Sequence, residues 1–148
     1  MSERTLILFK PDALQRQICG KILQRYEEKG LQIVALKLLS ISREQAEKHY
    51  EEHKDKPFFV HLVEYLISSP FIAMVLCGNN AVKIARALNG ATDPAEALPG
   101  TIRGDFAMHK RFNLVHASDS LQSADREIQI FFKPNEIYHY SLPVQQWF

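Results

Sequence analysis

Short apolar runs of strand length alternate with stretches of helical periodicity along the chain, and their order restricts the fold more than any single residue does. Thr5-Leu6-Ile7-Leu8-Phe9 is a run of strand formers that Lys10-Pro11-Asp12 ends, the pattern of a buried strand. Over 18–29, Ile18, Ile22, Leu23 and Tyr26 fall at helical spacing and Gly30 is a natural stop. Residues 31–41 are again rich in strand formers, with Lys37 leaving one face wet. Ser42 with Gln45 three residues on predicts a capping box that opens a helix over 43–53. Phe58, Leu62, Tyr65 and Leu66 make a further helical stripe, broken by Ser68-Ser69-Pro70. A strand is then expected over 71–77, and a helix over 81–88 closed by Asn89-Gly90. A short strand follows at 114–116, then a helix over 121–131 capped by Ser120, and a tail with Pro134 and Pro143.

Strand–helix–strand units in series suit the ferredoxin-like split βαβ arrangement. The expected fold class is therefore α/β in the α+β sense: a four-stranded antiparallel sheet with helices packed on it, on one face. A small doubly wound parallel sheet is the alternative. With 148 residues the chain suits a single domain, 1–148. The stretch between Gly90 and Asn113 has no clear period. A structureless segment of about 20 residues in a compact domain is unusual and often functional. It either carries function or subunit contacts, or hides a short helix or strand.

Composition excludes several classes. A nucleic-acid footprint needs a strong basic excess, and the formal net charge is +1; His109-Lys110-Arg111 is the densest basic spot and reads as a solvated loop. Cys19 and Cys77 are far apart and form no disulfide framework. The apolar runs fall far short of the roughly 20 residues that span a bilayer. Met1-Ser2-Glu3-Arg4 runs straight into the strand with no signal-like segment ahead of it, so a cytoplasmic location is expected.

The chain has neither the Gly-x-x-x-x-Gly-Lys-Ser/Thr loop nor the Gly-x-Gly-x-x-Gly fingerprint, so any phosphate chemistry relies on side-chain cations and stray backbone amides. His49-Tyr50-Glu51-Glu52-His53 fits the inverted zinc-protease pattern, but five residues are weak and no third ligand is evident; an exposed polar helix face is the simpler reading. Asn113-Leu114-Val115-His116-Ala117-Ser118-Asp119-Ser120 is different. It sets a histidine at the end of a short apolar strand, before a helix start. Neutral imidazole is a nucleophile near neutral pH and needs a group to fix its tautomer, which Glu127 on the next helix could supply. Spacing alone leaves structural and catalytic roles for His116 both open.

That stretch resembles the active-site signature of nucleoside diphosphate kinases, Asn-x-x-His-Gly/Ala-Ser-Asp. The likeness extends along the chain through Arg4-Thr5-Leu6 into Lys10-Pro11-Asp12, His49-Tyr50 with Glu52-His53, Lys56-Pro57-Phe58-Phe59 and Gly100-Thr101-Ile102-Arg103-Gly104-Asp105-Phe106. The resemblance implies an enzyme that moves the γ-phosphate of a nucleoside triphosphate to a nucleoside diphosphate through a phosphohistidine. His116 matches the nucleophile, Glu127 and Ser118 its partners, and Tyr50 the tyrosine that supports the phosphate site. Lys10, Arg86, Thr92 and Arg103 match the phosphate ligands, Lys10 and Asn113 the ribose ligands, and Phe58 and Leu62 the residues on which the base stacks. Phe58 and Leu62 also read as a helical core stripe.

The resemblance further implies Mg²⁺ as cofactor, held by the nucleotide phosphates with no dedicated protein metal site. The partners implied are ATP and other nucleoside tri- and diphosphates. A hexamer or tetramer is implied too, with the loop near Pro94 at subunit contacts in hexamers; no membrane and no specific nucleic acid are implied. The family usually has Gly-Arg where this chain has Arg111-Phe112, and a small or apolar residue at Lys110; these departures bear on base contacts. Trp147 and Phe148 are expected to pack on the body or on a neighbouring subunit. The competing reading is a catalytically silent nucleotide-binding or regulatory module of the same fold, which would lack the histidine or several phosphate ligands. Added nucleic-acid binding or histidine-linked signalling finds no basic stripe to support it.

Overall fold

The computed structural model describes residues 2–148. Its sheet has the order β2-β3-β1-β4, formed by β1 (Ser2–Phe9), β2 (Gln32–Leu39), β3 (Phe71–Asn79) and β4 (Val115–Ala117). All neighbours pair antiparallel, with Ile7 opposite Met74, Leu36 opposite Met74, and His116 opposite Leu8. Since β1 and β2 both run against β3, they are parallel to each other with β3 inserted between them, which is the split βαβ topology. A bulge between Ile33 and Ala35 sits in β2.

The helices are α1 (Pro11–Gln15), α2 (Cys19–Lys29), α3 (Arg43–His49), α4 (Phe59–Ile67), α5 (Ala81–Asn89), α6 (Ile102–Phe106) and α7 (Leu121–Phe131). They cover both faces of the sheet, not one. Ile7 and Phe9 of β1 join Ile22, Tyr26, Ala81, Ala85 and Ile102 in one core, whereas Leu6 and Leu8 join Ala46, Val63, Leu66, Ile128 and Phe131 in another. The signal was present: Thr5–Phe9 is buried at every position, as a continuous apolar run is when both sides are covered.

Two short helices had no periodicity to reveal them. In α1, Pro11 takes the first turn, where its missing N–H is harmless. In α6, the Thr101 side chain accepts from the Gly104 N–H at 3.0 Å, so the stretch between Gly90 and Asn113 does contain a helix. The Ser42–Gln45 capping box forms, but the helix expected over 43–53 stops at His49, and Glu51–His53 is a separate 3₁₀ turn.

Candidate active site

The short edge strand β4 and helix α7 together fix one histidine. A single Glu127 oxygen, Oε1, lies 3.0 Å from His116 Nε2 and accepts from the Ser118 hydroxyl at 2.7 Å. The Ser118 hydroxyl in turn accepts from the Leu6 N–H of β1 at 3.1 Å. Burial alone would raise the Glu127 carboxyl; the bonds from His116 and Ser118, with Arg126 nearby, outweigh it and hold the group below the usual glutamate value. A carboxylate can only accept, so Nε2 must carry the ring proton. The neutral ring therefore has its lone pair on Nδ1.

Ahead of His116 the backbone is strained. Leu114 is buried with φ +73°, a conformation that bulky side chains avoid at about 1–3 kcal/mol. Both of its peptide groups are held: Lys10 N–H donates to its carbonyl at 2.8 Å, and its own N–H donates to Asp12 Oδ2 at 3.1 Å. The Tyr65 hydroxyl grips the other Asp12 oxygen and accepts from the Asp12 N–H at 2.7 Å. Asp12 and Tyr65 thus brace the link between Asn113 and His116.

His116 opens onto a cavity of about 870 Å³, within the range of small-molecule sites. Lys10, Tyr50, Phe58, Leu62, Arg86, Thr92, Arg103, Asn113, His116 and Glu127 all line it; Ser118 stands behind, on Glu127. The ten side chains come from distant parts of the sequence, and the fold brings them together. Lys10 Nζ donates to Asn113 Oδ1 at 2.9 Å, and Asn113 Nδ2 donates to the Thr92 carbonyl at 3.0 Å. Burial, then the Arg103 charge, pull Lys10 down to about 8, against Asp12. Arg103 donates to the carbonyls of Asn113, Gly90 and Val115 at 3.2, 2.9 and 2.6 Å. It is a buried fork that shapes the loop as well as charging the wall. Arg86 donates to the Ala117 carbonyl at 3.1 Å. The Tyr50 hydroxyl is buried with no protein partner among the described residues.

The opposite wall is apolar and aromatic. Phe58 is 46% exposed, so it belongs to the cavity rather than to a core stripe, while Leu62 packs at the edge of the core beneath it. The turn over 109–112 brings Lys110, Arg111 and Phe112 to the same cavity, with the Phe112 ring against Tyr65 at 5.2 Å.

His49 and His53 do not share a face. His53 lies beside Phe58 at 5.5 Å. His49 is 3% exposed, among the rings of Tyr50, His116 and Phe131 at 4.5, 4.6 and 5.1 Å. The exposed polar face expected for this pair is therefore wrong for His49, because the helix ends there and turns the ring inward. Burial above all keeps His49 well below the usual histidine value and hence neutral.

Comparison with known proteins decides the family. The Nucleoside diphosphate kinase family model matches residues 3–137. The chain belongs to the nucleoside diphosphate kinase family. It is 54% identical over 145 residues to a nucleoside diphosphate kinase of Archaeoglobus fulgidus, with 98% of this chain and 96% of that one covered. It is 55% identical over 142 residues to one of Methanobrevibacter smithii, with 96% and 95% covered. Among solved structures it resembles a halophilic nucleoside diphosphate kinase from Halobacterium salinarum in complex with CDP, at TM-score 0.97 and 43% identity, covering 99% of this chain and 98% of that chain. The protein is accordingly an enzyme with nucleoside diphosphate kinase activity, a phosphotransferase acting on nucleotides. The ferredoxin-like fold expected for a nucleoside diphosphate kinase is the one observed. Sequence reading gave Asp12, Tyr65 and His49 no role in this kinase site; the strings Lys10-Pro11-Asp12 and His49-Tyr50 hinted at the first and the last, and nothing hinted at Tyr65.

Proposed function

We propose that His116 carries the phosphoryl group in a ping-pong cycle. The observation that carries the reading is the His116 Nε2–Glu127 pair at 3.0 Å beside a cavity lined by Lys10, Arg86 and Arg103. Nδ1 attacks the γ-phosphorus of a nucleoside triphosphate, the bond to the bridging oxygen breaks, and the diphosphate leaves with that electron pair. The phosphorylated ring is then cationic, with its proton on Nε2, and the Glu127 carboxylate stabilises it. The second diphosphate reverses the step. Lys10, Arg86 and Arg103 offset the charge on the transferring oxygens, and the Tyr50 and Thr92 hydroxyls donate to them. Lys10 and Asn113, already joined at 2.9 Å, receive the ribose hydroxyls. Phe58 and Leu62 offer the base a flat apolar platform, with Lys110 and Phe112 nearby. A platform that reads no base edge accepts all bases, so broad nucleoside use is expected.

The nucleotide phosphates would hold the Mg²⁺, which would supply charge neutralisation when bound. The buried carboxylate beside the nucleophile, Glu127, stands with two imidazoles, His49 and His116, a set poor in the oxygens that Mg²⁺ demands. We take 1–148 as a single domain, supported by cores that share β1, and as the subunit of a homo-oligomer. Leu36 and Leu38 stand exposed on the outer strand β2, as do Leu98 and Met108 flanking α6. No described helix is long and apolar enough to cross a membrane. We place the enzyme in the cytoplasm, which the two free thiols tolerate.

Intact mass tests the central step. Mixing the enzyme with ATP and Mg²⁺ should add one phosphate, which GDP then removes as GTP appears. His116→Ala, at the half-open end of an edge strand, should stay folded by circular dichroism and add none. A phosphate gained by His116→Ala would assign the nucleophile elsewhere. A folded wild-type protein that binds nucleotide without gaining phosphate would favour the silent module.

A further inference from the structure

The transfer cycle leaves His49, which lines the cavity, without a task. Its ring is 3% exposed, yet neither nitrogen has a hydrogen-bond partner among the described residues. Burying an unpaired polar group is costly, and native interiors pair the great majority of such groups. Two of its neighbours carry metal-ligating atoms within reach. One ligand atom each from His49, His116 and Glu127 lie within 4.8 Å of one another.

We propose that His49, His116 and Glu127 form an inhibitory binding site for a zinc-class divalent ion, separate from the Mg²⁺ that travels with the nucleotide. Two imidazoles and one carboxylate are a donor set that zinc accepts, with a fourth position open to the cavity. The nitrogen-rich set is poor for Mg²⁺, which demands oxygens. Zinc bonds to nitrogen and oxygen at about 2.0–2.2 Å, which sets tetrahedral ligand atoms about 3.4 Å apart; the His116 Nε2 and Glu127 Oε1 pair, now 3.0 Å apart, separates slightly, and His49 closes in from within 4.8 Å. Both histidines bind neutral, and burial already holds His49 so.

The inhibition follows from the tautomer and rests on the reading of His116 as phosphate acceptor. In the metal-free site the ring proton is on Nε2 and the lone pair on Nδ1. Zinc takes the Nε2 lone pair, and the one ring proton moves through water to Nδ1. No proton is gained or lost overall, but the nucleophilic lone pair is gone. Spacing along the chain pairs His49 with His53, and His53 lies outside the cluster.

The test is calorimetric titration of nucleotide-free enzyme with ZnCl₂, in a Cys19→Ser/Cys77→Ser background so that thiols do not compete. One ion should bind per chain. Losing a mere supporting partner of a metal ligand weakens binding by about 10–100-fold, so His49→Phe should weaken zinc binding by at least about tenfold, while His139→Ala leaves it unchanged. Phenylalanine suits the slot because Tyr50 and Phe131 already line it with aromatic rings. If His49→Phe fails to fold, His116→Ala is the second variant and should show the same loss. Zinc binding that is absent, or indifferent to these substitutions, overturns the site. Preloading the enzyme with zinc should also block the mass gain from ATP and Mg²⁺, and a chelator should restore it. Phosphorylation that proceeds on the zinc-bound enzyme overturns the Nε2 assignment. Phosphate transfer without zinc is read separately, so failure of the histidine relay and failure of the metal site give different results.

Discussion

At the scale of the residue, the site depends on one unfavourable backbone conformation and the groups that hold it. Leu114 at φ +73° aims Asn113 and His116 into the same cavity, and Asp12 ties its N–H at 3.1 Å. Asp12→Ala leaves that N–H and the Tyr65 hydroxyl without their acceptor. The expected loss is about 1–3 kcal/mol of stability, read from the denaturant midpoint. The phosphorylation rate should fall further than this stability change can explain, because the loop relaxes out of register. An Asp12→Ala enzyme with wild-type turnover would show that the brace is structural only. This part of the site was only half legible. The string from Asn113 to Ser120 names the histidine by its order of residue types, and Glu127 lies on the helix that follows. Nothing local in the sequence says that Asp12 reaches across 102 positions to Leu114, because a contact of that span exists only once the sheet has formed.

At the scale of the element, the least periodic stretch does the most to shape the cavity. Helix α6 is five residues long, too short to carry a hydrophobic stripe, so its sequence shows turn formers and no period. It holds Arg103 where its guanidinium meets three carbonyls. Its close packing requires glycine at one position: a Cβ on Gly104 would run into the Leu98 carbonyl and the Thr101 hydroxyl. Gly104→Ala must therefore shift backbone, and overpacking of this kind costs about 1–3 kcal/mol. The variant should melt earlier and bind nucleotide more weakly, since Arg103 moves with the helix; unchanged nucleotide affinity by calorimetry would separate the two. The longer elements were legible because they are amphipathic. Helix α7 runs Leu121–Phe131 as its cap and spacing predict. Helix order alone does not say which face of the sheet each helix covers; the second layer is written only in the unbroken apolar run Thr5–Phe9, buried on both faces.

At the scale of the whole molecule, the charge of one buried lysine sets the pH range in which the site works. Lys10 is held down to about 8 from 10.5, by burial above all. The folded state therefore sheds this proton before the unfolded chain does, and between about pH 8 and 10.5 the unfolded state binds more protons. The contribution of Lys10 to stability rises with pH through that window. Nucleotide binding goes the other way, because a neutral amine no longer attracts phosphate: the dissociation constant should climb as pH passes about 8, and Lys10→Met should flatten the climb. Assembly is testable on the outer strand. The segment after α7 lies along the first half of β2, where Tyr138 N–H donates to the Val34 carbonyl at 2.9 Å and Gln32 donates to the Tyr140 carbonyl at 2.9 Å, and its Glu136 reaches Lys37 at 3.1 Å. Leu36 and Leu38 nevertheless remain 49% and 62% exposed, on a sheet edge of the kind that proteins otherwise protect. At the other end of the tail, Phe148 meets the body at Gly30, whereas Trp147 is 76% exposed. Sedimentation should give the wild type a mass that is a multiple of the 17.0 kDa chain, and Leu38→Asp should lower it, because a carboxylate buried at an interface without a partner is strongly unfavourable. A wild type that sediments as one chain would mean that these leucines and Trp147 face water. A Leu38→Asp protein of unchanged mass would move the interface to the exposed Leu98 and Met108 around α6.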